Sequence, residues 1–507
     1  MNAQSERHSA MQAAVRPRPT LDHVYLAAAL MLIALRPLLT PAPPHDFWWH
    51  MATGRVILET RAIPQVDTFS YTRAGEPFFN QSWLAQLLMV GLHNLGGLPL
   101  VIIVQALVMT LAYGLLLRLC LLRTGRLRLC VAILLLTTLP LSFDNWTVRP
   151  QSYVFPIFAA FLTILTEYRP GMARRLWLMP PLMALWVNMH GSFVLGLALI
   201  GIVFVGAMVR RWKTASGAGA RGQNAMARLL DGPLLAWGAL TAAATLLNPR
   251  GAGVLGYVAN LLGSNQVTSL VTEWSPPTIR DVNGMIFFLF VLLVALVLIY
   301  ARTKPDLTDL LLFGAFLWLA LGAARNVVWL GFVATPLLAV QAATLLPPPP
   351  AQRSAGVPAM NSVLIGMLAL LLVIGSPWVK PAVLPPQVGA LLTEGTPVAA
   401  TRALQRLPQR PERLFHAMSY GSYLIWAAPE QKVFIDPRIE LYPFEQWRDY
   451  ILLGQGTDVE TLLAKYAIDG LLLSVEEQKP LIAYARAHAQ TWREVYTDEF
   501  TVLFVRH

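Results

Sequence analysis

The sequence predicts an α-helical polytopic membrane protein that ends in a small α/β domain. Three observations carry that prediction. Of 507 residues, 55% are hydrophobic and only 13% charged, with a mean hydropathy of +0.52, far more apolar than a soluble chain of this length. Apolar runs of roughly 17–25 residues recur, each long enough to cross about 30 Å of hydrocarbon. After residue 380 charge returns, and apolar residues come in short segments. The net charge of +11 would suit nucleic acid, but the basic residues sit in short loops between apolar runs, as topology signals do. No nucleic-acid partner is expected.

The N-terminal segment, 1–21, carries Arg7, Arg16 and Arg18 ahead of the first apolar run. Hydrophobicity continues downstream and no small-x-small cleavage site is evident, so an uncleaved signal anchor is expected. Spans are predicted near 22–41, 99–121, 128–144, 150–168, 176–190, 192–210, 233–248, 284–301, 307–323, 326–346 and 360–378, about eleven in all. The first loop, 42–98, holds amphipathic pieces at 48–60 and 82–95. Segment 82–96 is apolar but short and contains Gln86, His93 and Asn94, so it reads as an interfacial helix. That choice puts the turn with Arg123, Arg126 and Arg128 inside. Seventeen Lys and Arg then fall in inside segments, against seven in the outside loops before the tail, the positive-inside bias of a chain with a cytoplasmic N-terminus. Cys120 and Cys130 flank a cytoplasmic turn and imply no disulfide framework. The run 347–350 is a stiff turn of four prolines before the last span.

The transmembrane part is read as 22–380 and the extracytoplasmic tail as 385–507. At roughly 120 residues the tail can form its own core. Its apolar segments include Lys432-Val433-Phe434-Ile435 and Gly470-Leu471-Leu472-Leu473, with a helix-like stretch from Asp458 to Tyr466.

Polar residues gather on the outer side of this layout. The first loop opens with His45-Asp46-Phe47-Trp48-Trp49-His50, and later loops bring Asp144, Arg149, Asn188, His190, Asn248, Arg250, Glu273 and Arg325. Ionisable residues at membrane depth are costly and tend to be functional. Arginine's fork matches phosphate oxygens, so Arg149, Arg250 and Arg325 are candidates to hold a lipid phosphate. Asp46 is the candidate general base for an incoming hydroxyl or amine, with His50 and His190 as its catalytic companions. Asn188, Asn248, Glu273, Trp48 and Trp49 complete the candidate substrate-binding set.

Each has a plainer reading. Arg149 can snorkel at a helix start, and Asn248-Pro249 can end a helix with Arg250 as an interface anchor. His190 can be a satisfied turn residue, Asp46 a helix cap, and the Trp48/Trp49 pair an interface anchor. Asp46, Asp144 and Glu273 also offer oxygen ligands for a divalent cation. In the tail, Asp436-Pro437-Arg438-Ile439-Glu440 with Tyr420-Gly421-Ser422-Tyr423 suits either carbohydrate binding or an internal salt bridge.

This pattern resembles the GT-C superfamily of integral membrane glycosyltransferases, which includes protein O-mannosyltransferases, lipid A aminoarabinose transferases and oligosaccharyltransferases. The resemblance covers roughly residues 20–380 in architecture, and at motif level Asp46, which takes the place of the family's acidic residue just beyond the first span. Segments 47–60 and 82–95 look like its juxtamembrane helices. The whole chain looks most like bacterial members with Asp-x-Trp-Trp-His in the first loop and Ile-Asp-x-Arg in the tail, here Asp46–His50 and Ile435–Arg438. The resemblance implies a polyprenyl-phosphate-linked sugar as donor, a glycan, lipid or protein as acceptor, and residence in a bacterial inner membrane among its lipids. It departs from the O-mannosyltransferases, which carry two adjacent acidic residues where Phe47 follows Asp46 here. Competing readings are an O-antigen-ligase or polymerase-like enzyme taking a diphosphate-linked glycan, and a transporter or non-catalytic scaffold. A transporter would place polar groups near mid-membrane, where Arg36 and Gln105 are the candidates.

Overall fold

A computed structural model describes residues 18–168, 175–217, 231–263, 272–348 and 355–507. Arg7, Arg16, Arg169, Arg174, Arg221, Arg228, Arg353 and half of the proline run lie outside the described residues.

The first apolar run forms α1 (Leu21–Leu39), and the first loop opens with α2 (Asp46–Thr60). Helix α3 (Trp83–Thr124) is continuous in hydrogen bonding but leaves helical geometry at Gly96 and Gly97. Gly97 has φ of 67°, the left-handed region that glycine enters without steric cost, and Pro99 follows. The interfacial segment and the span expected here are thus two helices joined by a glycine corner. Helix α4 (Leu127–Ile133) runs on through a π turn (Leu134–Thr138) into Leu139–Ser142. Pro140 explains the wide turn, because it has no N–H to return to the preceding turn of the helix.

The chain continues with α5 (Phe155–Glu167), α6 (Met179–Met189), α7 (Val194–Gly217), α8 (Gly232–Ala244), α9 (Gly253–Gly263), α10 (Val282–Tyr300), α11 (Leu307–Gly322), α12 (Val327–Leu345) and α13 (Pro358–Ile374). Each predicted span contains one apolar helix, and α9 occupies a segment read as loop. Among the described residues five helices are long and apolar enough to cross a membrane, and five more apolar helices are shorter. Helix α10 leaves Leu289, Leu292, Leu296 and Ile299 exposed, a surface suited to lipid and not to water. The protein is a multi-pass membrane protein. Helix α12 is buried along most of its length, and its Trp329 and Phe332 stack with Phe155, Phe158 and Tyr113 at the bundle's centre.

The tail folds as α14 (Val398–Gln405), β1 (Leu414–His416), α15 (Met418–Ala427), α16 (Phe444–Gly454), α17 (Val459–Lys465), β2 (Gly470–Ser474), α18 (Lys479–Ala487), β3 (Trp492–Thr497) and β4 (Thr501–Arg506). The sheet order is β1-β2-β4-β3, with β1 parallel to β2 and the other pairs antiparallel. All of β2 is buried, which accounts for its unbroken apolar run. The segment Lys432–Ile435 is no strand of this sheet. Its Val433 pairs with the first loop instead, accepting from Tyr71 N–H at 3.0 Å and donating to the Phe69 carbonyl at 3.1 Å.

Among several joints between first loop and tail, that bridge is the first of three that fix the tail's position. In the second, Trp49 N–H donates to Ser422 Oγ at 3.0 Å, while the Trp48 ring meets Tyr423 and Trp426. Trp48 and Trp49 are 4% and 9% exposed. The interface-anchor reading of this pair is therefore corrected: the tail domain covers both rings, and burial against protein takes the place of a membrane surface. In the third joint, Arg438, 2% exposed, donates from Nε and Nη2 to Asp436 at 2.8 and 2.6 Å, and lies 2.7 Å from Asp67 of the loop. Tyr442 OH donates to Asp436 at 2.6 Å. The internal salt bridge foreseen for Asp436 and Arg438 is present and extends to Asp67. Helices α2 and α3 also meet closely: a Cβ on Gly54 would lie 2.4 Å from the Gln86 carbonyl oxygen.

Candidate functional site

Asp46 is the first residue of α2, where the helix dipole favours a carboxylate. His45 occupies the cap position, so Asp46 is not the cap, and its side chain pairs elsewhere. Arg149 lies in the loop after α4. Gln105 of α3 pins that loop by donating to the Trp146 and Thr147 carbonyls at 3.2 and 3.3 Å, and Ser152 Oγ donates to Thr147 at 2.8 Å. Gln105, considered as a transporter's mid-membrane group, is thus a brace for the loop bearing Arg149. Arg36 donates to Thr40 at the end of α1.

Four side chains from four loops form one chain of charges. Arg149 Nε lies 3.3 Å from Asp46 Oδ2, and its Nη1 donates to Glu273 Oε2 at 2.8 Å. Arg325 Nη1 lies 3.5 Å from Glu273 Oε1, and its guanidinium sits over the Trp274 ring at 4.3 Å. These side chains are 21–34% exposed, so the charges are half-buried and reach water. Burial pushes the Glu273 carboxyl up, but Arg325 and then Arg149 outweigh it and hold it below the ordinary carboxylate value. Arg149 is the clamp that joins two carboxylates. Among the described residues Arg325 makes one long ion pair and Arg250 none.

Both candidate histidines are neutral. His190 follows the last residue of α6, and its Nδ1 accepts the Ser192 N–H at 3.1 Å. Burial, and then Arg325, push it down to about 3. Nδ1 is therefore unprotonated and Nε2 carries the hydrogen. His50 is buried beside the Trp49 ring. Gln86 Nε2 lies 3.0 Å from its Nδ1, and Gln86 and Asn80 exchange amide hydrogen bonds of 2.7 and 2.8 Å. Burial, with His190 next, holds His50 well below 6.5. Electrostatic contact of His190 with Arg325, Glu273 and Arg149 puts it beside the charge chain; His50 is one layer further in.

The two asparagines have other work. Asn188 donates to the Ala184 and Leu247 carbonyls at 2.7 Å and accepts from Trp83 Nε1 at 2.9 Å. Asn248 donates to Thr245 and Gly251 and accepts from the Arg250 N–H. Their polar atoms are committed to shaping loops. Arg250 stands over the Phe79 ring at 4.2 Å, Phe79 meets Tyr257 edge-on at 4.6 Å, and Tyr257 OH donates to Glu440 Oε1 at 3.2 Å. Among the described residues no three His, Cys, Asp or Glu converge as a metal site requires. Arg149 lies between Asp46 and Glu273, and the Asp144 side chain is outside the description. Among the described residues, Asp46 and Glu273 face Arg149 and form no oxygen-lined cation site.

No family model matches the chain, and no curated protein matches it. Solved structures of the oligosaccharyltransferase of Archaeoglobus fulgidus do match. The complex of archaeal oligosaccharyltransferase AglB with an inhibitory peptide and a dolichol-phosphate has a TM-score of 0.51 at 11% identity, over 89% of this chain and 69% of that one. The apo form gives 0.52 over the same shares at 11% identity. The form tethered to an acceptor peptide gives 0.50 at 11% identity, over 95% and 74%. At such identity the likeness is one of fold alone.

Proposed function

We propose that the protein is a GT-C glycosyltransferase that moves a sugar from a polyprenyl-phosphate donor to an extracytoplasmic acceptor. The observation that carries this reading is the chain Asp46–Arg149–Glu273–Arg325, which joins four separate loops. Asp46 takes the proton of the incoming hydroxyl or amine, whose oxygen or nitrogen bonds the anomeric carbon. The carbon–oxygen bond to phosphate breaks and the phosphate leaves with the electron pair, toward Arg325 and Arg250. Arg149 holds the Asp46 carboxylate in place from 3.3 Å. Neutral His190 and His50 orient their neighbours by hydrogen bonding. The dolichol-phosphate in the archaeal complex, a lipid phosphate of the same chemistry, supports a lipid-linked donor.

In this reading about eleven spans cross a bacterial inner membrane, from a cytoplasmic segment 1–21 through 22–380 to an extracytoplasmic tail 385–507. Asp46→Asn in membranes supplied with polyprenyl-phosphate sugar abolishes transfer but leaves expression and lipid-phosphate binding intact. Retained transfer would refute Asp46 as base. The position of His190 beside Arg149 and Arg325 favours one second reading, a ligase taking a diphosphate-linked glycan. Dependence on His190 and Arg149 but not on Asp46 would select it.

A further inference from the structure

A cavity of about 700 Å³ lies at the end of the bundle away from the charge chain. Helix α11 fixes that placement. Asp306, its N-cap, lines the cavity, while Arg325 follows its other end. The 16 helical residues between them rise by roughly 24 Å. Part of the lining is apolar, with Leu119 of α3, Leu165 of α5, Val203 and Ala207 of α7 and Val340 of α12. Leu122 also lines the cavity and is 55% exposed, so the apolar lining continues onto surface suited to lipid. The volume falls within the roughly 300–1,000 Å³ of ligand cavities.

Charge lines the same cavity, and it comes in pairs. Arg123 donates from both Nη atoms to Asp309, at 3.0 and 2.5 Å. Arg210 donates to Asp306 at 3.3 Å and also to Thr308. Arg211 donates to Asp231 at 2.7 Å, and Asp231 accepts Tyr168 OH at 2.5 Å. Glu167, paired with Arg118 and Arg175, adds a fourth carboxylate to the lining. An apolar lining beside paired charges selects an amphiphile whose own head carries both signs.

We infer that this cavity binds a zwitterionic phospholipid with a primary ammonium, a phosphatidylethanolamine. The inference does not rest on the transfer reaction. The lipid phosphate faces the arginines, the ammonium donates to the carboxylates, and the acyl chains leave past Leu122. An anionic lipid fits less well, because among the described residues every arginine of the lining already has a carboxylate partner and a net negative head goes unmatched. A choline head carries the same charges but has no N–H with which to make charge-assisted hydrogen bonds. In the topology proposed above, the site faces the cytoplasmic leaflet.

The test titrates the detergent-solubilised full chain with dioleoyl phosphatidylethanolamine, phosphatidylcholine or phosphatidylglycerol and reads the first bound lipid by native mass spectrometry. Phosphatidylethanolamine should bind about 10-fold more tightly than either other lipid, the scale of one charge-assisted hydrogen bond. Asp309→Asn frees Arg123 from its carboxylate, so phosphatidylethanolamine binding should fall about 10-fold and phosphatidylglycerol become the preferred lipid. Ala207→Phe fills cavity space without touching a charge and should weaken all three lipids; it decides the matter if Asp309→Asn does not fold. Equal binding of the three lipids to the parent overturns the inference, as does a parent preference for phosphatidylglycerol or unchanged binding in the folded variants. Soluble glycerophosphoethanolamine should not compete. Competition by it at the lipid's own concentration would show a site for the free head group and overturn the lipid assignment.

Discussion

Replacing Arg438 by Met removes the cation that, among the described residues, pairs with both carboxylates of a joint held out of water. Asp436 and Asp67 are both fully buried as side chains. The substitution deletes two hydrogen bonds to Asp436 and the contact to Asp67. What remains is not negligible. Asp436 keeps Tyr442 OH, and Asp67 keeps the N–H groups of Phe69 and Ser70 and the Ser70 hydroxyl. Breaking a buried pair by removing one partner costs about 3–5 kcal/mol, and the surviving bonds favour the lower part of that range. About 3 kcal/mol is a factor of roughly 100 in the opening equilibrium. Tyr71 N–H and Val433 N–H report it, because they bridge loop and tail. Hydrogen exchange of these amides in nanodiscs should accelerate about 100-fold, and low pH should soften the effect as the stranded carboxylates protonate. In the parent protein Asp436 is pushed up by burial but pulled further down by Arg438. Its contribution is thus present above the ordinary carboxylate value and lost as pH falls through the depressed one. Exchange within 10-fold of the parent would show that the joint holds without its cation.

The tail should also lose stability in acid through His416. Its Nε2 accepts the Phe434 N–H at 3.0 Å, and its Nδ1 lies 2.9 Å from the Ala417 carbonyl, so protonation sets two donors against each other. Burial lowers it from 6.5 to about 4, a gap worth about 3 kcal/mol, lost as pH falls between those values because the unfolded state binds the extra proton. Exchange of β1 and β2 amides against pH checks this; a flat profile from pH 7 to 4 contradicts it. Since His190 and His50 are held neutral, the transfer rate should show no acid limb near pH 6–7. Such a limb, abolished by His190→Gln, would overturn their assignment. Gly54→Ala forces α2 from α3 and should cost about 1–3 kcal/mol as a drop in thermal midpoint. Gly91→Ala, with nothing within 4 Å of its Cβ, is the control and should be neutral or better.

The helices were legible because hydrocarbon imposes one length and one composition on each span. Asp46, Arg149, Glu273 and Arg325 were legible because charge at helix ends of an apolar bundle is conspicuous. Which arginine clamps and which is available was not, since that depends on distances between loops far apart in the chain. Asn188 and Asn248 looked like ligands because a sequence does not show a backbone carbonyl waiting at 2.7 Å. The tryptophan pair misled for a related reason: an aromatic at a membrane boundary reads the same whether lipid or a distant domain covers it. Gln86 carried a signal, a buried amide in the short apolar segment, without its partner His50 being evident. Glu440 was visible only as part of a tail motif, with nothing to link it to Tyr257.

The contact between Trp49 and Ser422 spans 373 residues of chain. At about 5–20 residues per second of synthesis, α2 is made roughly 20–75 seconds before the surface that covers it. For that interval its two indoles lack their final partner. The nascent chain must therefore park this helix on the membrane or on a chaperone, and only the last quarter of translation releases it into place. Truncations that spare every span but remove α15 should consequently be cleared by quality control, although insertion itself is complete.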